Sequence, residues 1–348
     1  MTIDKGIYIK NIFYMLSYAF QVLKQDTYKD VEVEEFENVE DMFAAILSTG
    51  LSRQIKQGLY REYAIKEDNT SSPHGKIVMS GTIKNYQQKR RLIDCEYDEL
   101  SVDNLYNQIL KTTIWYLIRQ ENVKKKRKDL LKQQLILFDG IKIISNLDIR
   151  WDALRFTKNN QEYRMLLNIC YFVFNGLVLT TEKGSKKVVS YIDEQKMHAL
   201  YEKFILGYYR YHYPDLNANP DCISWATDDG IVSYLPNMIT DITLKKNGKV
   251  LIIDAKYYGS MMASNYDVVT YRSANLYQIF SYVKNWDRDS TGNVSGMLLY
   301  AKTSETVQPN MTYQMNGNTI SVKTLDLNCP FSYLAETLNK IVEERFNL

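Results

Sequence analysis

Apolar residues recur along this chain with two periods, and changes of period divide it into elements. Near the start, Ile12, Met15, Leu16, Ala19 and Leu23 fall three or four apart, which predicts an amphipathic helix within residues 7–24. A second helical pattern covers 39–57. From 59 to 97 the period shifts: Tyr60, Tyr63 and Ile65 alternate with charge, 68–75 is a polar loop, and KIVMSGTI (76–83) and 92–97 are expected as strands. Helical spacing returns over 104–120 and 160–179, with a loop expected at 180–188. Over 194–213, Met197, Leu200, Tyr201, Phe204, Ile205 and Tyr208 share one face, with Glu202 at its edge. Two strands then flank Asn247-Gly248, the strongest short hairpin signal, with a further strand possible at 231–234. A helix at 276–286, a buried strand MLLYA (297–301), strands at 312–315 and 319–325 and a helix at 333–346 complete the chain. The expected fold is an α+β N-terminal domain with a β-rich protruding module, residues 1–160, followed by an α/β domain, residues 161–348, with a mixed central sheet flanked by helices.

The hairpin carries the chemistry. With Asn247-Gly248 as the turn, Lys246 faces Lys249 and Asp241 faces Asp254. Lys256 follows Asp254 by two and shares its sheet face. Directly opposed side chains lie about 5 Å apart, where like charges destabilise a sheet. As structural alternatives, Asp241 is an exposed strand residue and Asp254–Lys256 a surface ion pair. Against them, Asp254 interrupts the apolar run VLII, where an unpartnered acid is costly. Two close carboxylates and an amine suit Mg2+-assisted phosphodiester hydrolysis. Asp241, Asp254 and the backbone carbonyl of Ala255 are the expected metal ligands, with Glu202 as a further candidate. Lys256 orients water or offsets phosphate charge. Gln278 and Tyr282, one helical turn apart, fix the lysine or touch the nucleic-acid backbone.

Composition adds limits. Lys and Arg nearly balance Asp and Glu, for a net +2, so nucleic acid is bound through local patches or a partner. KNYQQKRR (84–91), with Lys84, Lys89, Arg90 and Arg91, is either a solvated turn or a contact surface. KKKRK (124–128) is either an exposed helix face or a DNA contact. Tyr is frequent, at 28 residues, and Pro scarce, at 6, which suits ordered structure with little linker. Cys95, Cys170, Cys222 and Cys329 show no paired spacing, so a reducing cytoplasm is expected. The apolar stretch 166–179 contains Asn168 and Asn175 and is too short to span a bilayer, and no signal-peptide core is present. His74, His198 and His212 are far apart in sequence and support no histidine-based nuclease.

Asp241…Asp254-Ala255-Lys256 resembles the PD-(D/E)XK nuclease superfamily, and Gln278-x-x-x-Tyr282 resembles the Q-x-x-x-Y motif of its RecB-like branch. LPNMITDITL (235–244), IIDAKYY (252–258), NLYQIFSYV (275–283), NIFYMLSYAF (11–20), HGKIVMSGTI (74–83) and YDELSVDNLYNQILKTTIWYLI (97–118) together resemble the McrC family over nearly the whole chain. Pro236 stands five residues before Asp241 rather than next to it, a departure common in divergent members. The resemblance implies the endonuclease subunit of a methylcytosine-dependent restriction system. It also implies an McrB-type AAA+ partner whose hexameric ring binds GTP and is stimulated by the N-terminal part of this chain, and whose own N-terminal domain reads modified cytosine in double-stranded DNA. The segment 59–97 is then the expected ring contact. No G-x-x-x-x-G-K-[ST] occurs, in keeping with GTP bound elsewhere. A non-catalytic activator of the GTPase and a stand-alone RecB-like repair nuclease are the alternatives.

Overall fold

The computed structural model describes the chain except residues 1–2, 5–6, 21–27, 29–30, 32, 158–159, 161–162, 175–193, 258–261, 266–267 and 303–307. The expected loop at 180–188 and the ends of two helical patterns, 21–24 and 175–179, lie outside the described residues. The chain forms two compact units: Met1–Met42 with Asn175–Leu348, and Phe43–Phe174. The divisions thus fall elsewhere than one cut at 160. A short strand pair, β1 (Ile3–Asp4) and β2 (Ile7–Tyr8), leads into helix α1 (Ile9–Ala19), which belongs with the C-terminal half. The reason is buried polar and aromatic contact: Asn11 Nδ2 donates to the carbonyls of Leu327 and Cys329 at 2.9 and 2.8 Å, and the Tyr18 hydroxyl lies 2.8 Å from His212 Nε2. Sequence period identifies such a helix but not its partner.

Helix α2 (Val39–Gln57) runs into the second unit. There β3 (Glu62–Thr70), β4 (Lys76–Ile77) and β5 (Ile93–Ser101) form an antiparallel sheet in the order β3-β5-β4. The expected strand at 76–83 stops after two residues and becomes helix α3 (Met79–Gln87). Packing overrides local preference here. The Asp94 N–H donates to Thr82 Oγ1 at 3.0 Å, and a Cβ on Gly81 would come within 1.7 Å of the Asp94 carboxylate. Lys84 lies in the last turn of α3, and Lys89, Arg90 and Arg91 follow it, all exposed. Tyr63, Ile65, Met79, Ile83 and Tyr86 of this module are also exposed, Tyr86 by 83%. Helices α4 (Leu105–Leu117), α5 (Lys125–Ile136) and α6 (Tyr163–Val173) complete the unit. Tyr163 OH donates to Asn107 Oδ1 at 2.9 Å and accepts from the Tyr60 N–H at 2.8 Å.

In the first unit, helix α7 (Glu194–His212) buries Tyr201, Phe204, Ile205 and Tyr208 as its period requires. Two short strands, β6 (Cys222–Ile223) and β7 (Met238–Ile239), pair with each other. The possible strand at 231–234 is instead exposed loop, tied by Asp229 Oδ1 to the Ile231 N–H and by the Leu235 N–H to the Val232 carbonyl. Strands β8 (Ile242–Lys246) and β9 (Lys249–Lys256) form the hairpin with Lys246 opposite Lys249. Asn247 and Gly248 have φ of 51° and 75°, the left-handed pair that this turn needs. After β10 (Met262–Asn265) and β11 (Val268–Tyr271) come helix α8 (Ser273–Trp286), β12 (Val294–Ala301), β13 (Met311–Met315), β14 (Asn318–Leu325) and helix α9 (Phe331–Phe346). The main sheet runs β13-β14-β12-β9-β8, with β14, β12 and β9 mutually parallel and both edges antiparallel. This is the mixed sheet expected. Every residue of β12 is buried, as a central parallel strand requires.

Helix α8 sits close to β12 because Gly296 has no side chain. A Cβ there would lie 2.7 Å from Ile279 and 2.8 Å from Val283. Gly296→Val is expected to cost about 1–3 kcal/mol through overpacking, read as a lower urea midpoint. An unchanged midpoint would show that α8 yields without strain.

Candidate functional site

The carboxyl end of β9 is where the hairpin stops being an ordinary ladder. Strand β8 begins at Ile242, so Asp241 lies just before it, and its Oδ2 accepts the Ala255 N–H at 2.9 Å. The side chain thus takes a β9 donor that backbone pairing leaves open. Asp254 and Lys256 share the sheet face of Val250 and Ile252. Asp254 is 1% exposed and Lys256 7%, and their charged atoms stand 2.8 Å apart. The second Asp254 oxygen, Oδ1, is buried without a hydrogen-bond partner among the described residues. Buried polar atoms are nearly always satisfied, so an orphaned carboxylate oxygen marks a place for a cation.

The helix motif reaches the same point. Lys256 Nζ donates to Gln278 Oε1 at 3.3 Å, Gln278 Nε2 donates to the Tyr282 hydroxyl at 2.9 Å, and that hydroxyl donates to the Ile239 carbonyl at 3.0 Å. Burial pushes the Tyr282 phenol up, so it remains a donor. Asn275 on the same helix donates to Tyr300 OH at 2.9 Å, and Tyr300 pairs with Lys256 across the sheet. Neither Asn275 nor Tyr300 is visible in the sequence as part of the site.

Glu202, on α7, is held by His198, with Nδ1 2.6 Å from Oε1. Its charge acts on both aspartates. His198 therefore stands beside the site, contrary to its distance in sequence; its signal was the i, i+4 spacing to Glu202. Lys84, Lys89, Arg90 and Arg91 belong to the other unit and are not among these residues.

Burial, first, and then the Asp254 and Glu202 charges push Asp241 up to about 7. Burial likewise pushes Asp254 up, against the pull of Lys256. One lysine does not offset the carboxylates. Among the described residues no three His, Cys, Asp or Glu form a ready-made metal cage. Two carboxylates and a neighbouring carbonyl nonetheless fit Mg2+, which keeps several waters and takes only one or two protein carboxylates.

Residues 5–301 match the family model described as McrBC 5-methylcytosine restriction system component. The chain belongs to that family. Over 340 residues it is 26% identical to the Type IV methyl-directed restriction enzyme EcoKMcrBC of Escherichia coli (strain K12), covering 97% of each chain. In structure it is similar to a chain of the Thermococcus gammatolerans half-complex of McrB AAA+ hexamers with bound McrC. That match has a TM-score of 0.50 and 18% identity, over 96% of this chain and 76% of that one. At that identity the likeness is one of fold. Among the described residues, no helix of this McrBC-family chain is long and apolar enough to cross a membrane.

The raised Asp241 predicts a pH-dependent stability. Its folded pKa lies above the unfolded value, so the folded state holds the proton more tightly. The stability from this group is present below about pH 4 and lost as pH rises through about 7. At about 1.4 kcal/mol per pKa unit, Asp241→Asn is expected to melt several degrees above the parent at pH 8 in EDTA, with the gap closing towards pH 4. Added Mg2+ should raise the parent more than the variant. A gap independent of pH would refute the shared carboxylate burden.

Proposed function

We propose that this chain is the Mg2+-dependent endonuclease subunit of a methylcytosine-directed restriction complex and cuts double-stranded DNA by phosphodiester hydrolysis. The observation that carries the proposal is the buried Asp254–Lys256 pair, with half-buried Asp241 against it and an orphaned Asp254 oxygen. Asp241, Asp254 and the Ala255 carbonyl hold the ion, with Glu202 a further ligand. When bound, Mg2+ supplies Lewis acidity and a water of lowered pKa. Lys256, aimed by Asp254 and Gln278, donates to the attacking water or to a phosphate oxygen, where charge grows as the bond to the leaving oxygen breaks. Gln278 and Tyr282 hold the lysine rather than the substrate. Closely placed carboxylates at the carboxyl end of parallel strands suit the position where open α/β sheets bind ligands.

The partner is an McrB-type AAA+ protein whose ring binds GTP and whose own N-terminal domain reads the modified cytosine. The Escherichia coli relative, a Type IV methyl-directed restriction enzyme, and the Thermococcus gammatolerans assembly of McrB AAA+ hexamers with bound McrC support this. The 59–97 module, with exposed apolar side chains beside Lys84, Lys89, Arg90 and Arg91, faces the ring. On this division of labour, unit Phe43–Phe174 activates the partner and the other unit cuts.

Asp254→Ala is expected to abolish cleavage of methylated DNA in the presence of partner and GTP, while GTP hydrolysis by the partner stays stimulated. Surviving cleavage would remove the site, and a wild-type chain that stimulates GTPase without ever cutting would make it an adaptor. Reversing Arg90 and Arg91 to Glu should weaken ring binding or GTPase stimulation; no change in either would take that turn out of the interface.

A further inference from the structure

The turn joining α4 to α5 has a charge density unlike the chain as a whole. Seven basic and two acidic side chains lie between Arg119 and Lys132, in a chain of net charge +2. Five of the basic residues, Lys124, Lys125, Lys126, Arg127 and Lys128, are consecutive and open α5. The first turn of a helix carries the positive end of its dipole, where a cation is unfavourable by about 0.3–1 kcal/mol. Helix α5 has no acid in that turn, and Lys124 at its N-cap makes no side-chain cap. The single acid on the helix, Asp129, lies 3.6 Å from Lys132, further along.

Across the turn stands a second feature. The Arg119 guanidinium lies 3.3 Å from the centroid of the Trp115 ring and donates to the Trp115 carbonyl at 2.7 Å, and both residues are exposed. The backbone gathers the two features. Arg119 N–H bonds Tyr116 O, Val123 N–H bonds Gln120 O, and the Lys128 N–H bonds Lys124 O, with Val123 buried as the anchor. Crowding cations at a helix start works against the helix dipole. It suits a polyanion: lysines neutralise successive phosphates, and the stacked Trp115–Arg119 plate offers a flat face to the sugar-phosphate backbone.

We infer that this surface of the Phe43–Phe174 unit holds the phosphate backbone of DNA without regard to sequence, apart from the cutting site. The inference rests on DNA being the substrate and adds a holding surface outside the hydrolytic group. Its occupant is double-stranded DNA and not the partner ring, because the cations outnumber the apolar side chains around the turn.

The test is equilibrium binding of a fluorescein-labelled DNA duplex to the full chain in EDTA, followed by anisotropy between about 50 and 200 mM salt. The variant is Lys125→Glu/Lys126→Glu/Lys128→Glu, with circular dichroism and urea unfolding to confirm the fold. Each lost phosphate contact lowers the salt slope by about 1, so the triple variant should bind at least roughly tenfold more weakly with a slope shallower by about 3. The matching triple Lys→Arg variant should keep the parent slope. Unchanged affinity and slope in the Glu variant would overturn the inference. So would intact DNA binding with lost GTPase stimulation, which would put the ring on this surface. Cleavage by Asp254→Ala is scored separately: if it persists, the hydrolytic site is wrong while the binding measurement stands.

Discussion

Two like charges buried at the end of one strand pair constrain much of the first unit. Asp241 and Asp254 are brought together by the β8–β9 register, and burial raises both. Left alone, such a pair costs stability in a sheet. Lys256 offsets part of that cost at 2.8 Å, and Asp241 recovers part by taking the Ala255 N–H. The remainder stays stored in an orphaned oxygen. A parallel core able to carry this burden is needed around it. Strand β9 is paired on both sides, β12 is buried along its whole length, and α8 closes on Gly296.

The other unit solves a different problem. Its β3–β5–β4 sheet is largely exposed, and the chemistry it presents is on the outside: aromatic and aliphatic side chains of β3 and α3, and basic residues after α3 and at the start of α5. Surfaces of this kind do not stabilise a monomer. What holds the unit is an apolar core that includes Ile46, Leu47, Ile109, Leu110 and Ile114, with buried polar ties such as Tyr163 with Asn107 and Tyr60, and Gln134 with the Ser48 carbonyl at 2.7 Å. A division between a unit that buries charge and a unit that displays it is consistent with one that cuts and one that makes contacts.

Short-range rules made the hairpin legible. Asn247-Gly248 fixed the turn, the turn fixed the register, and a period of two put Lys256 beside Asp254. Helix periods likewise located α1, α7, α8 and α9 to within a few residues. Local pattern and structure part where distant packing decides. The 76–83 segment has the β-branched look of a strand, but Gly81 and Thr82 lie against Asp94 and the chain coils into α3. Residues 231–234 look like a strand but are held as a turn by Asp229. Sequence proximity groups the first helix with its neighbours, whereas Asn11 ties it to carbonyls more than three hundred residues on. The separation of the three histidines says nothing about His198, whose partner is Glu202 one helical turn on.

The Q-x-x-x-Y helix has a physical role that the two residues alone do not reveal. From Lys256 the contacts run through Gln278 and Tyr282 to the carbonyl of Ile239, two residues before Asp241, and Asp241 returns to β9 at Ala255. The path is closed. It joins the segment between β7 and β8 that carries Asp241, strand β9 that carries Asp254, and helix α8. Holding a lysine side chain in one rotamer costs up to about 2 kcal/mol of entropy, and here that cost is met when the protein folds rather than when substrate arrives. Within such a ring, an error in any member moves the amine relative to both carboxylates. Substituting Tyr282 therefore disturbs the geometry at Asp241 as well as at Lys256, although Tyr282 itself touches neither.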